Sequence, residues 1–273
     1  MNDSPEPSPP LSHPPLKIVI RLLLLTILLV FAIVLVNSLA GTAGLPQSAQ
    51  LILGELALIV PSLLYLRQKN YDLRTVFRIT RIDSRLLLSS ALLGVALPIL
   101  STELDNLVSQ LIKLPDELLE PLAEMLVAHS WFDWLNLIIA TVILASLVEE
   151  MLFRGLLQQA LEAQFEATQA IFLSAFIFAI FHGPIWMIQV IVIGMLFGYL
   201  AWRSKSVLPG IVVHAFHNLF SLTASNFADS GPMWDKLFDW RGHVHPTLLA
   251  LSACVMYYAI KWFIHACSEQ EET

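Results

Sequence analysis

Long apolar runs broken by short polar segments dominate this chain. The first, residues 18–40, holds more than twenty mostly apolar positions. At 1.5 Å per residue that suffices to cross a hydrocarbon layer of about 30 Å. Seven more runs follow, at about 48–66, 86–104, 134–157, 168–182, 184–202, 207–224 and 247–266. Eight spans leave room for only short loops, and neither an internal repeat nor a soluble appendage is visible. The pattern predicts an all-α polytopic membrane protein of eight transmembrane helices in a single membrane domain, 17–273. Residues 1–16 are rich in Pro and Ser and lack a basic residue. They read as a disordered tail rather than the basic n-region of a signal peptide.

Composition narrows the class. Of 273 residues, 56% are hydrophobic and 14% charged, where a soluble chain is about a quarter charged. Mean hydropathy is +0.70. A soluble domain, a disordered chain and a fibrous repeat are excluded. A net charge of −7, with no basic cluster carrying interleaved aromatics, argues against nucleic acid as a partner. The two cysteines, Cys254 and Cys267, lie on one apolar run roughly 20 Å apart along a helix, too far to bridge.

Charge also orients the spans. Lys17 and Arg21 border span 1. Arg67, Lys69, Arg74, Arg78, Arg81 and Arg85 follow span 2, Arg203 and Lys205 follow span 6, and Lys261 sits near the end of span 8. With Arg154, most of the 15 basic residues fall on or near one face. The opposite loops carry the acids, among them Asp105, Glu124, Asp133, Asp235 and Asp239. Both termini are expected in the cytoplasm. The compact chain without a targeting peptide reads as a multi-pass protein of a bacterial inner membrane.

Ionisable side chains inside hydrocarbon cost a few kcal/mol, so each needs a reason. They concentrate in three spans: Glu149, Glu150 and Arg154 in span 4, His182 at the end of span 5, and His214, His217 and Asn218 in span 7. Glu55 in span 2 is a lone outlier. Glu150 and Arg154 are at i and i+4, as are His214 and Asn218, and Phe178 stands one turn behind His182. A carboxylate, two imidazoles and an amide in a dry surround have the parts for water activation. A desolvated Glu acts as general base, and imidazole and amide N–H groups bind an oxyanion.

Glu149-Glu150-x-x-x-Arg154, Phe178-x-x-x-His182 and His214-x-x-x-Asn218, in order on predicted spans, resemble the three motifs of the CPBP family of intramembrane proteases. These are the CAAX prenyl protease 2-like or lysostaphin resistance protein A-like proteins. The resemblance covers roughly residues 130–225; elsewhere the match is hydrophobicity alone. It implies that Glu149 activates the attacking water with help from His182. His214 and Asn218 would stabilise the oxyanion, with Glu150, Arg154 and Phe178 in support. The favoured reading uses no metal and no other cofactor. The alternative is zinc held by Glu149, His182 and His214, although HExxH is absent.

The expected partners are the lipid bilayer and a peptide or protein substrate entering from the membrane or the cytoplasmic side, toward which the site is expected to open. Two other functions stay open: an ion- or proton-coupled transporter, and a non-catalytic immunity or binding scaffold of the same fold.

Depth poses one difficulty. Glu149 lies roughly 22 Å along span 4, and His214 roughly 10 Å into span 7, both toward the basic face. A straight span 5 starting at that face would carry His182 to the opposite side. A shared site therefore predicts a shallow hairpin of spans 5 and 6, with the break at His182-Gly183-Pro184 lining a polar cavity.

Overall fold

The computed structural model describes residues 13–40, 46–113, 123–183, 185–227 and 232–271, with the isolated positions 115, 117 and 119. Each predicted span is a helix: α1 Leu16–Ala40, α2 Gln47–Gln68, α3 Ser84–Leu111, α4 Trp131–Glu162, α5 Ala167–His182, α6 Met187–Ser204, α7 Leu208–Phe227 and α8 Pro246–Glu271. Two short helices, Leu73–Val76 and Pro232–Phe238, sit in connections.

Among the described residues, six helices are long and apolar enough to cross a membrane: α1 to α4, α6 and α8. The chain is thus a multi-pass integral membrane protein. Of the remaining two predicted spans, α5 is a shorter apolar helix of 16 residues. The other, α7, carries the polar stripe of His214, His217, Asn218 and Ser221. The predicted tail falls mostly outside the described residues; Pro14 is buried, and α1 is already under way at Leu16.

Several helices outrun their apolar cores because polar residues at the ends find partners. Glu103 keeps α3 intact beyond 104: its carboxylate accepts from His243 Nδ1 at 2.7 Å and from Val244 N at 2.8 Å. Helix α4 gains a turn at its start, where Asp133 N donates to Ser130 Oγ at 3.1 Å. At its other end, Gln158 Nε2 donates to Gly198 O at 3.0 Å, and Glu162 pairs with Arg78. Helix α6 begins only at Met187, because Gly183, at φ +83°, has already turned the chain.

The apolar side chains form two packed groups. One joins α1, α2, α4 and α5 around Val19, Leu66, Leu152, Phe153, Leu156 and Phe178. The other joins α3, α6, α7 and α8 around Leu86, Leu93, Phe197, Val213 and Phe263. The polar residues of α4, α5 and α7 meet between the two. Arg154 is wholly buried: Glu150 and two aromatic rings hold its side chain inside.

Candidate active site

Helix α4 is irregular where its chemistry sits. The α-helical turn Ser146–Glu150 lies between two π-helical stretches, Ile138–Ala145 and Met151–Leu157. Such stretches loosen the i→i−4 ladder and let a carbonyl take a partner from another helix. Asn218 uses this: its Nδ2 donates to Thr141 O at 2.7 Å, tying α7 to the first π stretch.

Three motif residues converge on one oxygen. His182 Nε2 stands 3.7 Å from Glu149 Oε2, and His214 Nε2 stands 3.8 Å from the same atom. Glu149 Oε2 is buried and has no hydrogen-bond partner. The gaps are too long for direct hydrogen bonds. The ring of His182 is oriented from behind. Phe178 O can only accept, so Nδ1 at 3.0 Å carries the hydrogen, and Nε2 is turned toward Glu149. The Phe178 ring lies 4.3 Å from the imidazole, centroid to centroid.

Behind this set lies a buried support. Arg154 Nη1 donates to Glu150 Oε1 at 2.9 Å, and Nη2 donates to Gly194 O of α6 at 3.2 Å. The guanidinium carbon is 4.2 Å from the centre of the Phe178 ring and 5.3 Å from that of Phe197. His214 Nδ1 faces Glu150 Oε1 at 3.3 Å. Its ring stacks on Phe197 at 5.0 Å. The first turn of α7 comes close to the same carboxylate: a Cβ on Gly210 would lie 2.7 Å from Glu150 Oε2. Only glycine permits that approach.

Depth is resolved by where the helices start. His182 is 15 residues into α5, and Glu149 is 13 residues from the end of α4. At 1.5 Å per residue both lie roughly 20 Å from the connection joining the two helices. Helix α7 begins inside the protein, with Ser206, Val207, Pro209 and Gly210 all buried. That offsets the shorter climb to His214. The α5–α6 hairpin thus turns back at the level of the site, as the shared-site reading requires. Pro184 of the predicted break lies outside the described residues.

The space beyond the hairpin tip is a cavity of about 440 Å³, lined by His182, Gln189, His217 and Asn218 and, further along α3 and α7, by Asp105 and Ser225. Those last residues belong to the acidic loop face. The cavity therefore runs away from the basic loops, opposite to the cytoplasmic opening expected from charge and depth alone. His217 Nε2 is 3.2 Å from Ser101 Oγ on the cavity wall.

Glu55 was passed over as an outlier. Its Oε2 is buried without a hydrogen-bond partner. The only signal in the sequence was an acid in an apolar run.

The donor types Glu149, His182 and His214 suit zinc; the two imidazole nitrogens stand 3.7 and 3.8 Å from Glu149 Oε2. Among the described residues, no three His, Cys, Asp or Glu side chains are gathered closely enough to hold a metal ion.

Comparison with family models agrees with the motifs. Residues 131–220 match the family described as Rce1-like, type II CAAX prenyl endopeptidase Rce1-like. The matched segment contains Glu149, Glu150, Arg154, Phe178, His182, His214 and Asn218, so the resemblance to the CPBP family is borne out there. The family implies a protease, hence a hydrolase. Neither a curated protein nor a solved structure matches the chain.

Proposed function

We propose, from the match over residues 131–220 to a CAAX-type endopeptidase family, that this protein hydrolyses a peptide bond within the membrane. The observation that carries the reading is Glu149 Oε2: buried, unpartnered and facing two imidazole nitrogens. One water seated among these three atoms donates a hydrogen to Glu149 Oε2 and another to His182 Nε2. As its oxygen bonds to the substrate carbonyl carbon, Glu149 takes the proton. The carbonyl oxygen becomes an oxyanion, which accepts the second N–H of Asn218 and the Nε2–H of His214. When the C–N bond breaks, the proton passes from Glu149 to the leaving amine, giving one carboxylic acid and one amine. No step is routed through a metal.

Eight membrane helices, of which α5 and α6 turn back within the layer, and both termini in the cytoplasm of a bacterial inner membrane complete the proposal. The distribution of basic loops supports the orientation. An ion-coupled transporter draws no support from the site.

The test is reconstitution in proteoliposomes with a peptide library. Glu149→Gln and Glu149→Ala are each expected to lower cleavage by about 10²–10⁴-fold. Asn218→Ala is expected to lower it by about 10²–10³-fold. Wild-type cleavage should persist in strong chelator. Loss in chelator, restored by zinc, would overturn the metal-free mechanism; cleavage unchanged in Glu149→Gln would overturn the assignment of the base.

A further inference from the structure

On the basic-loop face, far from the hydrolytic cluster, lies a second polar cavity of about 280 Å³ where α6 ends. Its lining includes Thr80, Arg81, Arg203, Ser204, Lys205 and Gln270. Three of these are cations and none is a carboxylate. The volume is at the low end for a ligand pocket and suits a headgroup-sized molecule.

The walls are built, not incidental. Thr80 Oγ1 donates to Lys205 O at 2.8 Å, and Ser206 Oγ donates back to Thr80 O at 3.0 Å. Val207 N donates to Arg78 O at 3.0 Å. These bonds strap the segment before α3 to the segment between α6 and α7. Arg78 and Lys205 adopt left-handed backbone, at φ 50° and 55°. Residues with side chains keep that conformation only where their surroundings over-determine it. Arg203 is steadied by donating to Ser268 Oγ of α8 at 2.8 Å. Lys205 Nζ lies 5.3 Å from the centre of the Trp202 ring.

Two described acids that border these segments are engaged elsewhere. Asp83 and Glu269 both pair with Arg85. Hydrogen bonds from Arg85 hold the Asp83 carboxyl down to about 2. Among the described residues, Arg81 and Lys205 make no ion pair with a carboxylate. Three positive groups therefore face one hollow at the level where helices leave the hydrocarbon. Such basic hollows between membrane helices attract phosphate headgroups.

We propose that this cavity binds the phosphate of an anionic ligand through Arg81, Arg203 and Lys205. The phosphodiester of an anionic phospholipid and free phosphate share that chemistry. The site is independent of the hydrolytic reading.

The test uses the purified full chain in neutral detergent and follows its melting midpoint with three probes: short-chain phosphatidylglycerol, short-chain phosphatidylcholine and inorganic phosphate. Phosphatidylglycerol should stabilise saturably while phosphatidylcholine does not. The variant Arg81→Gln/Lys205→Gln should raise the half-saturating concentration by about ten-fold or more. The control Arg67→Gln/Lys69→Gln, which removes equal charge from exposed positions on the same face, should change it by less than about two-fold. Each variant is compared with its own ligand-free midpoint, and native mass spectrometry of retained phosphatidylglycerol gives a second readout that does not depend on stability. Equivalent stabilisation by inorganic phosphate, with the same variant dependence, supports the site and assigns the soluble source. Equal loss in both double variants, or stabilisation by neither anion, overturns it.

Discussion

Arg154 shows how one side chain can be bound to a function that it does not perform. It touches Glu150, Gly194 O and two aromatic rings, with no exposed surface. Removing one partner of a buried ion pair leaves the other charge stranded, which costs about 3–5 kcal/mol. Arg154→Met is therefore expected to lower stability by about that amount. Glu150→Gln/Arg154→Met, which removes both charges, should recover much of it. Denaturant unfolding in detergent measures both. The i, i+4 pairing was legible in the sequence. Its complete burial was not, because an Arg four residues from a Glu reads equally well as an interfacial pair.

At the scale of the helix, the site depends on close approach and on irregular backbone. The start of α7 meets α4 at Gly210, where an added Cβ would fall 2.7 Å from Glu150 Oε2. Gly210→Ala is expected to cost about 1–3 kcal/mol through overpacking and to lower cleavage with it, since His214 sits one turn further on. Gly54→Ala, whose Cβ would meet nothing within 4 Å, should be neutral or slightly stabilising. Thermal melting paired with the cleavage assay separates the two. The eight helices were all legible as apolar runs, and their ends were off by a few residues where Glu103, Ser130, Gln158 and Glu162 found polar partners. The π-helical stretches left no mark in Ile138–Ala145 or Met151–Leu157, since tertiary contacts such as Asn218 to Thr141 O stabilise what local propensity does not.

Across the whole molecule, the basic loops and the cavity beyond His182 lie toward opposite ends of the bundle. Ser225, at the cavity rim, is 17 residues beyond the first residue of α7, roughly 26 Å along its axis. Lys205 precedes that helix at the other end. In oriented vesicles, a membrane-impermeant thiol reagent should label Ser225→Cys from one face and Lys205→Cys from the other, in a background where Cys254 is replaced by Ser. Labelling of both from the same face would show that the cavity does not open as described. Charge distribution alone points access toward the basic side, because loop charge carries no information about which side chains line the cavity.

The sequence by itself determined that the chain lives in a membrane, that its apolar runs are helices, and which few polar residues demand a reason. These are local properties: each residue's transfer cost into hydrocarbon holds whatever its neighbours do. Only the tertiary structure decided that Glu149, His182 and His214 share a centre, that Arg154 is sealed inside, and where the cavity opens. Those outcomes depend on how deep each helix begins and how near two backbones can come, which no single segment encodes.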